Sequence, residues 1–218
     1  AGLQRLEYRG YDSAGIAVQI REAASIDRRR TLGKVADLLE NVEREPMSGH
    51  SGIAHTRWAT HGAPSEQNAH PHISSDRICL VHNGIIENFE SLRDELRGSG
   101  REFTSETDSE VIVHLVDTYY EESKDLLGAV KKAIQRLKGA YAIGVMCCDD
   151  PGRIVAARLG SPLVVGVGIG EHYIASDVLA LRPVTDRFIY LEEGDLVDIT
   201  ADALSFWNVE DESVIRTS

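Results

Sequence analysis

The sequence predicts an α+β fold in which antiparallel sheets pack on each other and are covered by helices. Helical patterns are concentrated in the middle of the chain, between about residues 89 and 137, and strand patterns lie on both sides. Strands and helices do not alternate regularly, which argues against a parallel α/β sheet. With 218 residues and 42% hydrophobic content, the chain can form one substantial core, and we expect one domain over residues 1–218.

The first third of the chain contains the end of a helix, two strands and a second helix. Ala1–Leu6 has the pattern of the last turns of a helix whose start is missing, with Gly10 placed to end it. We therefore expect a piece of a longer protein, truncated at its N-terminus. Ala14–Ile20 is an apolar run of strand length, and residues 28–32 are predicted to pair back on it. Gly33 then opens a helical stretch.

The next segment places a long loop between two strands. Ser51–His55 and Arg77–His82 have strand patterns, and the loop between them has no periodicity of its own. Loops of this length in compact domains are usually functional.

Helices and then strands make up the rest of the chain. Residues 89–96 form an amphipathic helix, and Thr107-Asp-Ser-Glu110 is a capping box that starts a firmly predicted helix. A further helix is expected around residues 126–137. Six strands follow, over residues 140–148, 153–157, 163–167, 173–176, 188–191 and 196–199.

Composition excludes several classes of protein. The chain has 35 acidic and 23 basic residues, a formal charge of −12, which disfavours binding to nucleic acid. The triplet Arg28–Arg30 is interpreted as a solvated strand face. No apolar run approaches the length of a membrane span, and the start lacks the organisation of a signal peptide. Because Cys79, Cys147 and Cys148 lie in apolar runs, we interpret them as reduced and structural, and we expect a cytoplasmic protein.

The most informative stretch contains three motifs within about thirty residues. They are His55-Thr-Arg-Trp-Ala-Thr-His-Gly62, Asn68-Ala-His-Pro-His72 and Val81-His-Asn-Gly84. Together they supply a guanidinium group, aromatic and imidazole side chains and an Asn-Gly pair. This mixture is what a site for a polar zwitterion needs.

Two charged side chains are candidates for binding the ends of an α-amino acid. Arg57 follows a strand and can bind a carboxylate with two hydrogen bonds, and Trp58, Thr60 and His61 are placed to cover it. Asp108, in the first turn of the capped helix, can bind an ammonium group. Each also has a simpler interpretation, Arg57 as a surface residue and Asp108 as a partner of the helix dipole.

Asn83 and Gly84 have two interpretations. A side-chain amide and a glycine N–H are the parts of an oxyanion hole. An Asn-Gly pair after an apolar strand is also typical of a hairpin turn, and the residues alone favour the turn. The helical pattern that follows, instead of a return strand, weakens that interpretation.

Histidines are concentrated in the same region. Five of the eight lie between His55 and His82, so a metal site is one interpretation of this region. The usual carboxylate or cysteine partners are missing from the spacing, and a hydrogen-bonded polar cluster is favoured over a metal. We expect neither a metal nor a cofactor.

Seven motifs together resemble one known family. They are residues 5–15, 55–62, 68–72, 81–88, 105–110, 158–163 and 191–195, and the match covers essentially the whole chain. They resemble the glutaminase domain of the glutamine:fructose-6-phosphate amidotransferase (glucosamine-6-phosphate synthase) family, among the class II, N-terminal-nucleophile amidotransferases. The resemblance implies a four-layer αββα sandwich and hydrolysis of L-glutamine to glutamate and ammonia.

The resemblance also implies roles for individual residues. Arg57 would bind the α-carboxylate and Asp108 the α-amino group, and Asn83 with Gly84 would form the oxyanion hole. Trp58, Thr60 and His61 would belong to a lid over glutamine, and Arg9 with Gly10 would frame the nucleophile. In the intact enzyme, ammonia would pass to a C-terminal isomerase half, absent here, that makes glucosamine 6-phosphate from fructose 6-phosphate. A homodimer of the full-length enzyme fits the resemblance.

The nucleophile is the point of departure from the family. The family uses a cysteine at the start of the mature chain, with its own α-amino group as the base, and this sequence begins at Ala1, downstream of that position. The first strand is expected to be missing as well. Because none of the three cysteines has a free amine or an exposed position, we expect the chain as given to be inactive.

Three other functions remain open from the sequence. One is a class II amidotransferase with a different acceptor, which its downstream domain would identify. Another is a non-catalytic amino-acid-binding module, which would carry no cysteine at an upstream chain start. A metal-dependent hydrolase is the weakest of the three, and it would lose activity on chelation.

Overall fold

The computed structural model describes residues 2–58, 62–208 and 210–218. The helices are α1 (Gly2–Arg5), α2 (Val35–Arg44), α3 (Phe89–Gly98), α4 (Asp108–Ser123) and α5 (Leu126–Ile134). The strands are β1 (Ser13–Ile20), β2 (Ser25–Leu32), β3 (Ser51–Arg57), β4 (His72–Ser74), β5 (Ile78–Ile86), β6 (Gly139–Cys147), β7 (Ile154–Leu159), β8 (Val164–Val167), β9 (His172–Ala175), β10 (Phe188–Tyr190), β11 (Leu196–Ile199), β12 (Leu204–Trp207) and β13 (Ser213–Val214).

The strands form one large antiparallel sheet and two small ones. The large sheet has seven strands in the order β13-β12-β11-β7-β6-β5-β4. The small sheets have the orders β2-β1-β3 and β10-β8-β9, and all described pairs of strands are antiparallel. The prediction of an α+β fold with packed antiparallel sheets is therefore confirmed.

Alternating side chains along β6 explain why the large sheet lies in the middle of the molecule. Ile143 and Val145 face the core that α3, α4 and α5 form with this sheet. Ala142 and Met146 point the other way, into the cores shared with the two small sheets. Because residues i and i+2 of a strand lie on the same face, one strand contributes to both layers.

Helices also cover the outer face of the small sheet β2-β1-β3. Val35 and Leu38 of α2 pack on Ala14 of β1, and Leu3 of α1 joins the same cluster. The molecule is thus built as helices, small sheets, large sheet and helices, the four-layer αββα sandwich that the resemblance implied. Within the described part of the chain, no helix is long and apolar enough to cross a membrane.

Most predicted elements agree with the structure to within a few residues, and three short strands were missed. β4 lies inside the segment that was interpreted as a loop without periodicity, and β12 and β13 follow the last predicted strand. β4 and β13 have three and two residues, too few for a period to be recognised.

A large cavity lies between the two small sheets. β3 is an edge strand of one sheet and β9 is an edge strand of the other, and both line a cavity of about 570 Å³. The backbone groups of an edge strand are available for pairing with a further strand.

Candidate functional site

The residues predicted from the sequence come together around one small cavity. This cavity, of about 190 Å³, lies where the end of β3, the second half of β5 and the start of α4 meet. Six predicted residues line it, namely Arg9, Arg57, Trp58, Asn83, Gly84 and Asp108. Thr60 and His61 fall outside the described residues.

Arg57 provides a buried positive charge at one side of the cavity. It is the last residue of β3 and only 4% exposed, and its Nη2 donates to the carbonyl oxygen of Gly62 at 3.2 Å. Burial lowers the pKa of this guanidinium, and the carboxylates of Asp12 and Asp108 oppose that shift. Because the intrinsic pKa of arginine is so high, the side chain stays charged. The simpler interpretation of Arg57 as a surface residue is therefore wrong.

Asp108 provides a negative charge at the start of α4. It is 4% exposed, and its Oδ2 accepts a hydrogen bond of 2.9 Å from the backbone N–H of Ile86. Thr107 caps the helix by accepting from the N–H of Glu110, as the capping box predicted. The carboxylate of Glu110 does not complete the box, because it accepts from the N–H groups of Thr104 and Ser105 instead.

Asn83 and Gly84 lie inside a strand, and the hairpin turn that the residues alone favoured is wrong. β5 continues to Ile86, and Gly84 pairs with Tyr141 of β6. Gly84 has φ +129°, and a Cβ atom there would lie 2.1 Å from the carbonyl oxygen of Ala140. A side chain is therefore excluded at this position, and the exposed Gly84 lines the cavity with its backbone.

Arg9 and Gly10 frame the site from the N-terminal side. Arg9 lines both cavities, and its Nη1 donates to the carbonyl oxygen of Ser176 at 3.2 Å. A Cβ atom on Gly10 would lie 2.6 Å from the backbone nitrogen of Trp58, so only glycine fits at this position without a clash. The carbonyl oxygen of Gly10 accepts from the hydroxyl of Thr56 at 2.5 Å.

Trp58 lies at the mouth of the cavity. Its side chain is 59% exposed and packs edge-to-face against Tyr11, with ring centroids 5.9 Å apart. An exposed tryptophan beside a polar cavity is placed to cover a bound ligand. Its role in a lid stays a prediction, because the following residues 59–61 lie outside the described part of the chain.

Four buried histidines lie at the cavity, because His55, His70 and His82 line it and His72 packs against His70. His70 Nε2 and His82 Nδ1 both lie 2.9 Å from the hydroxyl of Ser109, and His72 Nε2 lies 3.1 Å from that of Thr107. These contacts form the hydrogen-bonded polar cluster that was favoured over a metal site. In the described ranges, no group of three or more His, Cys, Asp or Glu side chains could hold a metal ion.

Burial keeps several of these rings neutral. The pKa of His55 is lowered to about 4 and that of His72 to about 3, and burial is the main cause in each case. The pKa of His70 also lies well below its usual value, chiefly because of burial and then because of the neighbouring His55.

The three cysteines are buried and lie outside the lining of the small cavity. All three are free and buried, and none lines the small cavity. Burial raises the pKa of Cys79 to about 12 and that of Cys148 to about 11, and it raises the pKa of Cys147 as well. Since the thiolate is the reactive form, none of them is suited to act as a nucleophile.

Four residues in or near the site were missed in the sequence. His55 and Ser109 line the cavity but were given no individual role. Arg28 and Arg30 were interpreted as a solvated face, whereas Arg28 donates to the carbonyl of Pro71 at 3.2 Å, and Arg30 donates to that of Ala69 at 3.1 Å. The interpretation was wrong because the loop before β4 lies over β2. The alternation of Arg28 and Arg30 on one strand face was the available signal.

Sequence comparison places the chain beside glutamine-dependent enzymes. The family described as a glutamine amidotransferase domain matches residues 55–183. A glutamine–fructose-6-phosphate aminotransferase (isomerizing) from Pseudomonas aeruginosa is 58% identical over 99% of this chain. The corresponding enzyme from Pseudomonas putida is 56% identical over the same share. The chain spans 35% of the length of each of these relatives.

Comparison with solved structures gives the same fold. A glutamine phosphoribosylpyrophosphate amidotransferase from B. subtilis, in complex with ADP and GMP, matches 97% of this chain and 46% of that chain, with a TM-score of 0.79 and 26% identity. A glutamine aminotransferase class-II domain protein from Silicibacter pomeroyi matches 91% of each chain with a TM-score of 0.62. At 21% identity, the second likeness concerns the fold alone.

Proposed function

Because the chain belongs to the glutamine amidotransferase domain family, we propose that it is a single glutaminase-type domain that hydrolyses L-glutamine to L-glutamate and ammonia. The resemblance drawn from the seven motifs is confirmed by this membership. One observation carries the proposal: a buried cation, a buried carboxylate and an Asn-Gly pair line one cavity of about 190 Å³.

The two charges fit the two ends of an α-amino acid. Arg57 would bind the α-carboxylate through its planar guanidinium, and Asp108 would bind the α-ammonium group. Both side chains are at most 4% exposed, so water screens them little and their interactions with a charged ligand are strong. The side-chain amide of glutamine would then extend towards Asn83 and Gly84.

Asn83 and Gly84 would stabilise the charge that develops during hydrolysis. When a nucleophile adds to the amide carbon of glutamine, the carbonyl oxygen becomes an oxyanion. The N–H of Gly84 and the side-chain amide of Asn83 are donors for it. Ammonia leaves once the amide nitrogen has gained the proton that the base takes from the nucleophile. Water then cleaves the acyl intermediate, releasing glutamate and the nucleophile.

We propose that the nucleophile lies outside residues 1–218. The burial and the raised pKa of Cys79 and Cys148 support this, and so does the absence of any cysteine from the described lining of the small cavity. The resemblance implies a cysteine at a chain start, whose α-amino group serves as the base. On this proposal, residues 1–218 alone do not hydrolyse glutamine.

We propose that the segment that carries the nucleophile lies in the large cavity. An extended strand there would pair with β3 on one side and β9 on the other. The two cavities share Arg9, His55, His82 and Asn83 in their linings. A strand in the large cavity would therefore present its end beside Asn83, where the oxyanion forms.

For the intact protein, we propose that the released ammonia is used to convert fructose 6-phosphate to glucosamine 6-phosphate. The support comes from relatives at 54–58% identity that are glutamine–fructose-6-phosphate aminotransferases. Because the chain spans 35% of their length, the second reaction belongs to a further domain, which would be the partner of this one. A homodimer of the intact protein remains a prediction. The three free cysteines favour the reducing cytoplasm as its compartment.

Glutamate release from L-glutamine by the protein expressed from its complete coding sequence tests the proposal. We expect turnover that depends on a cysteine at the mature chain start, and an Asn83→Ala variant that loses about 10²-fold to 10³-fold in kcat. A complete protein that binds glutamine without hydrolysing it would contradict the proposal and leave a binding module.

A further inference from the structure

His55 and Asn83 form a contact between two different sheets. His55 belongs to β3 in a small sheet, and Asn83 belongs to β5 in the large sheet. The ring nitrogen Nε2 of His55 lies 2.8 Å from Oδ1 of Asn83. Both side chains line the small cavity, so the contact lies within the site and not behind it.

The chemistry of the two groups fixes the direction of this hydrogen bond. The amide oxygen of Asn83 can only accept, so Nε2 of His55 carries the proton and donates it. With Oδ1 occupied in this way, the Nδ2 group of Asn83 is the part of the amide that remains for the cavity. An oxyanion needs that N–H donor, whereas the opposite amide orientation would present an oxygen and repel it.

The surroundings hold the His55 ring in place. His55 is 9% exposed, and its ring centroid lies 4.2 Å from that of His70, with an angle of 36° between the planes. His70 is fixed in turn by its contact with the hydroxyl of Ser109 at 2.9 Å. Since burial lowers the pKa of His55 to about 4, the ring is neutral at physiological pH and has a single N–H to donate.

We propose that His55 is a positioning residue of the oxyanion hole, which holds the Asn83 amide with its N–H directed at the carbonyl oxygen of the substrate. This inference rests on the proposed glutaminase function. His55 acts through Asn83 and need not contact the substrate. Its contribution is preorganisation, because a donor that is already aimed needs no reorientation as the charge develops.

A comparison of His55→Leu with His55→Gln in the complete protein tests the role. Leucine removes the N–H donor, and we expect kcat for glutamine hydrolysis to fall by roughly 10²-fold. We expect KM to stay within about threefold, because Arg57 and Asp108 are untouched. The side chain introduced by His55→Gln retains an N–H donor of similar reach, so this variant should keep most of the kcat of the unaltered protein.

A buried histidine away from the cavity supplies the control. His114 is 7% exposed and contacts the hydroxyl of Ser74 at 2.8 Å. His114→Leu therefore also removes a buried imidazole ring, at a position that does not line the small cavity. We expect it to lower thermal stability while leaving kcat unchanged.

A double-mutant cycle separates the positioning of Asn83 from a general loss of structure. If His55 acts through Asn83, His55→Leu should cost at most about threefold in kcat when Asn83→Ala is already present. Equal losses of kcat in the two backgrounds would overturn the inference, and so would a His55→Leu protein with the kcat of the unaltered enzyme. A complete protein without any glutaminase activity would instead refute the proposed function, so the two failures are distinguishable.

Discussion

The carboxylate of Asp108 accepts a hydrogen bond from the backbone N–H of Ile86 at 2.9 Å. This bond joins the first turn of α4 to the end of β5, two residues beyond Gly84. The proposed ammonium-binding group and the proposed oxyanion hole are therefore held as one unit. A ligand bound to Asp108 is placed at a fixed distance from Gly84.

Replacing Arg57 by lysine should weaken substrate binding without slowing the chemical step. Lysine keeps the charge but cannot form two parallel hydrogen bonds with a carboxylate. We expect KM for glutamine to rise by about tenfold to a hundredfold, while kcat stays nearly unchanged. This rise corresponds to the free energy of one charge-assisted hydrogen bond. Steady-state kinetics of glutamate release by the complete protein measures both.

The matched control for Arg57 is Arg153, whose guanidinium binds a carboxylate in a bidentate manner. Its Nε and Nη2 each lie 2.7 Å from an oxygen of Asp198, and it does not line the small cavity. Arg153→Lys should leave KM unchanged. A rise in KM in both variants would mean that loss of a guanidinium acts through stability and not through substrate binding.

Replacing Asp108 by asparagine should remove recognition of the α-ammonium group while preserving the local structure. Asparagine retains an oxygen that can accept from the N–H of Ile86. We expect KM for glutamine to rise by about tenfold to a hundredfold. The control is a substrate, glutaric acid monoamide, which lacks the amino group, and its KM should be the same for both proteins. Equal losses on the two substrates would contradict the assignment.

Alanine variants of Cys79, Cys147 and Cys148, made one at a time in the complete protein, should keep their glutaminase activity. Burial raises the pKa of each thiol, to about 12 for Cys79 and about 11 for Cys148, so the thiolate is scarce. In residues 1–218, all three should react slowly with a thiol reagent until the chain is unfolded. Loss of kcat on changing any one of them would place the nucleophile inside this chain.

The buried histidines should make the protein less stable as the pH falls below about 6.5. The pKa of His55 is about 4 in the folded state, against about 6.5 in the unfolded chain. Between these values the unfolded chain binds more protons, so the free energy of unfolding falls as the pH is lowered. Each such histidine contributes up to about 1.4 kcal/mol per pH unit.

Denaturant unfolding between pH 7 and 5.5 measures this dependence on pH, above the range in which most carboxylates titrate. His55→Gln should reduce the slope of the free energy of unfolding against pH by the contribution of one histidine. A slope that is the same in the unaltered protein and in His55→Gln would show that His55 does not have its pKa lowered by burial.

Much of the fold could be predicted because its signals are local. The capping box at Thr107–Glu110 and the apolar spacing after it located α4, whose N-cap is Thr107 as expected. Ala14–Ile20 and Leu196–Ile199 were recognised as strands from apolar runs of strand length. Short edge elements such as β4 and β13 carried too few residues for any pattern.

The sequence by itself determined the fold class, the family resemblance and the charged residues Arg57 and Asp108 of the candidate site. These follow from residue identity and from periods of two or 3.6 residues along the chain. Only the tertiary structure decided that Asn83 and Gly84 lie within a strand, and that His55 holds the Asn83 amide. The reason is physical. Pairing with β6 extends β5 through Gly84, and the contact between residues 55 and 83 exists only when two separate sheets pack face to face.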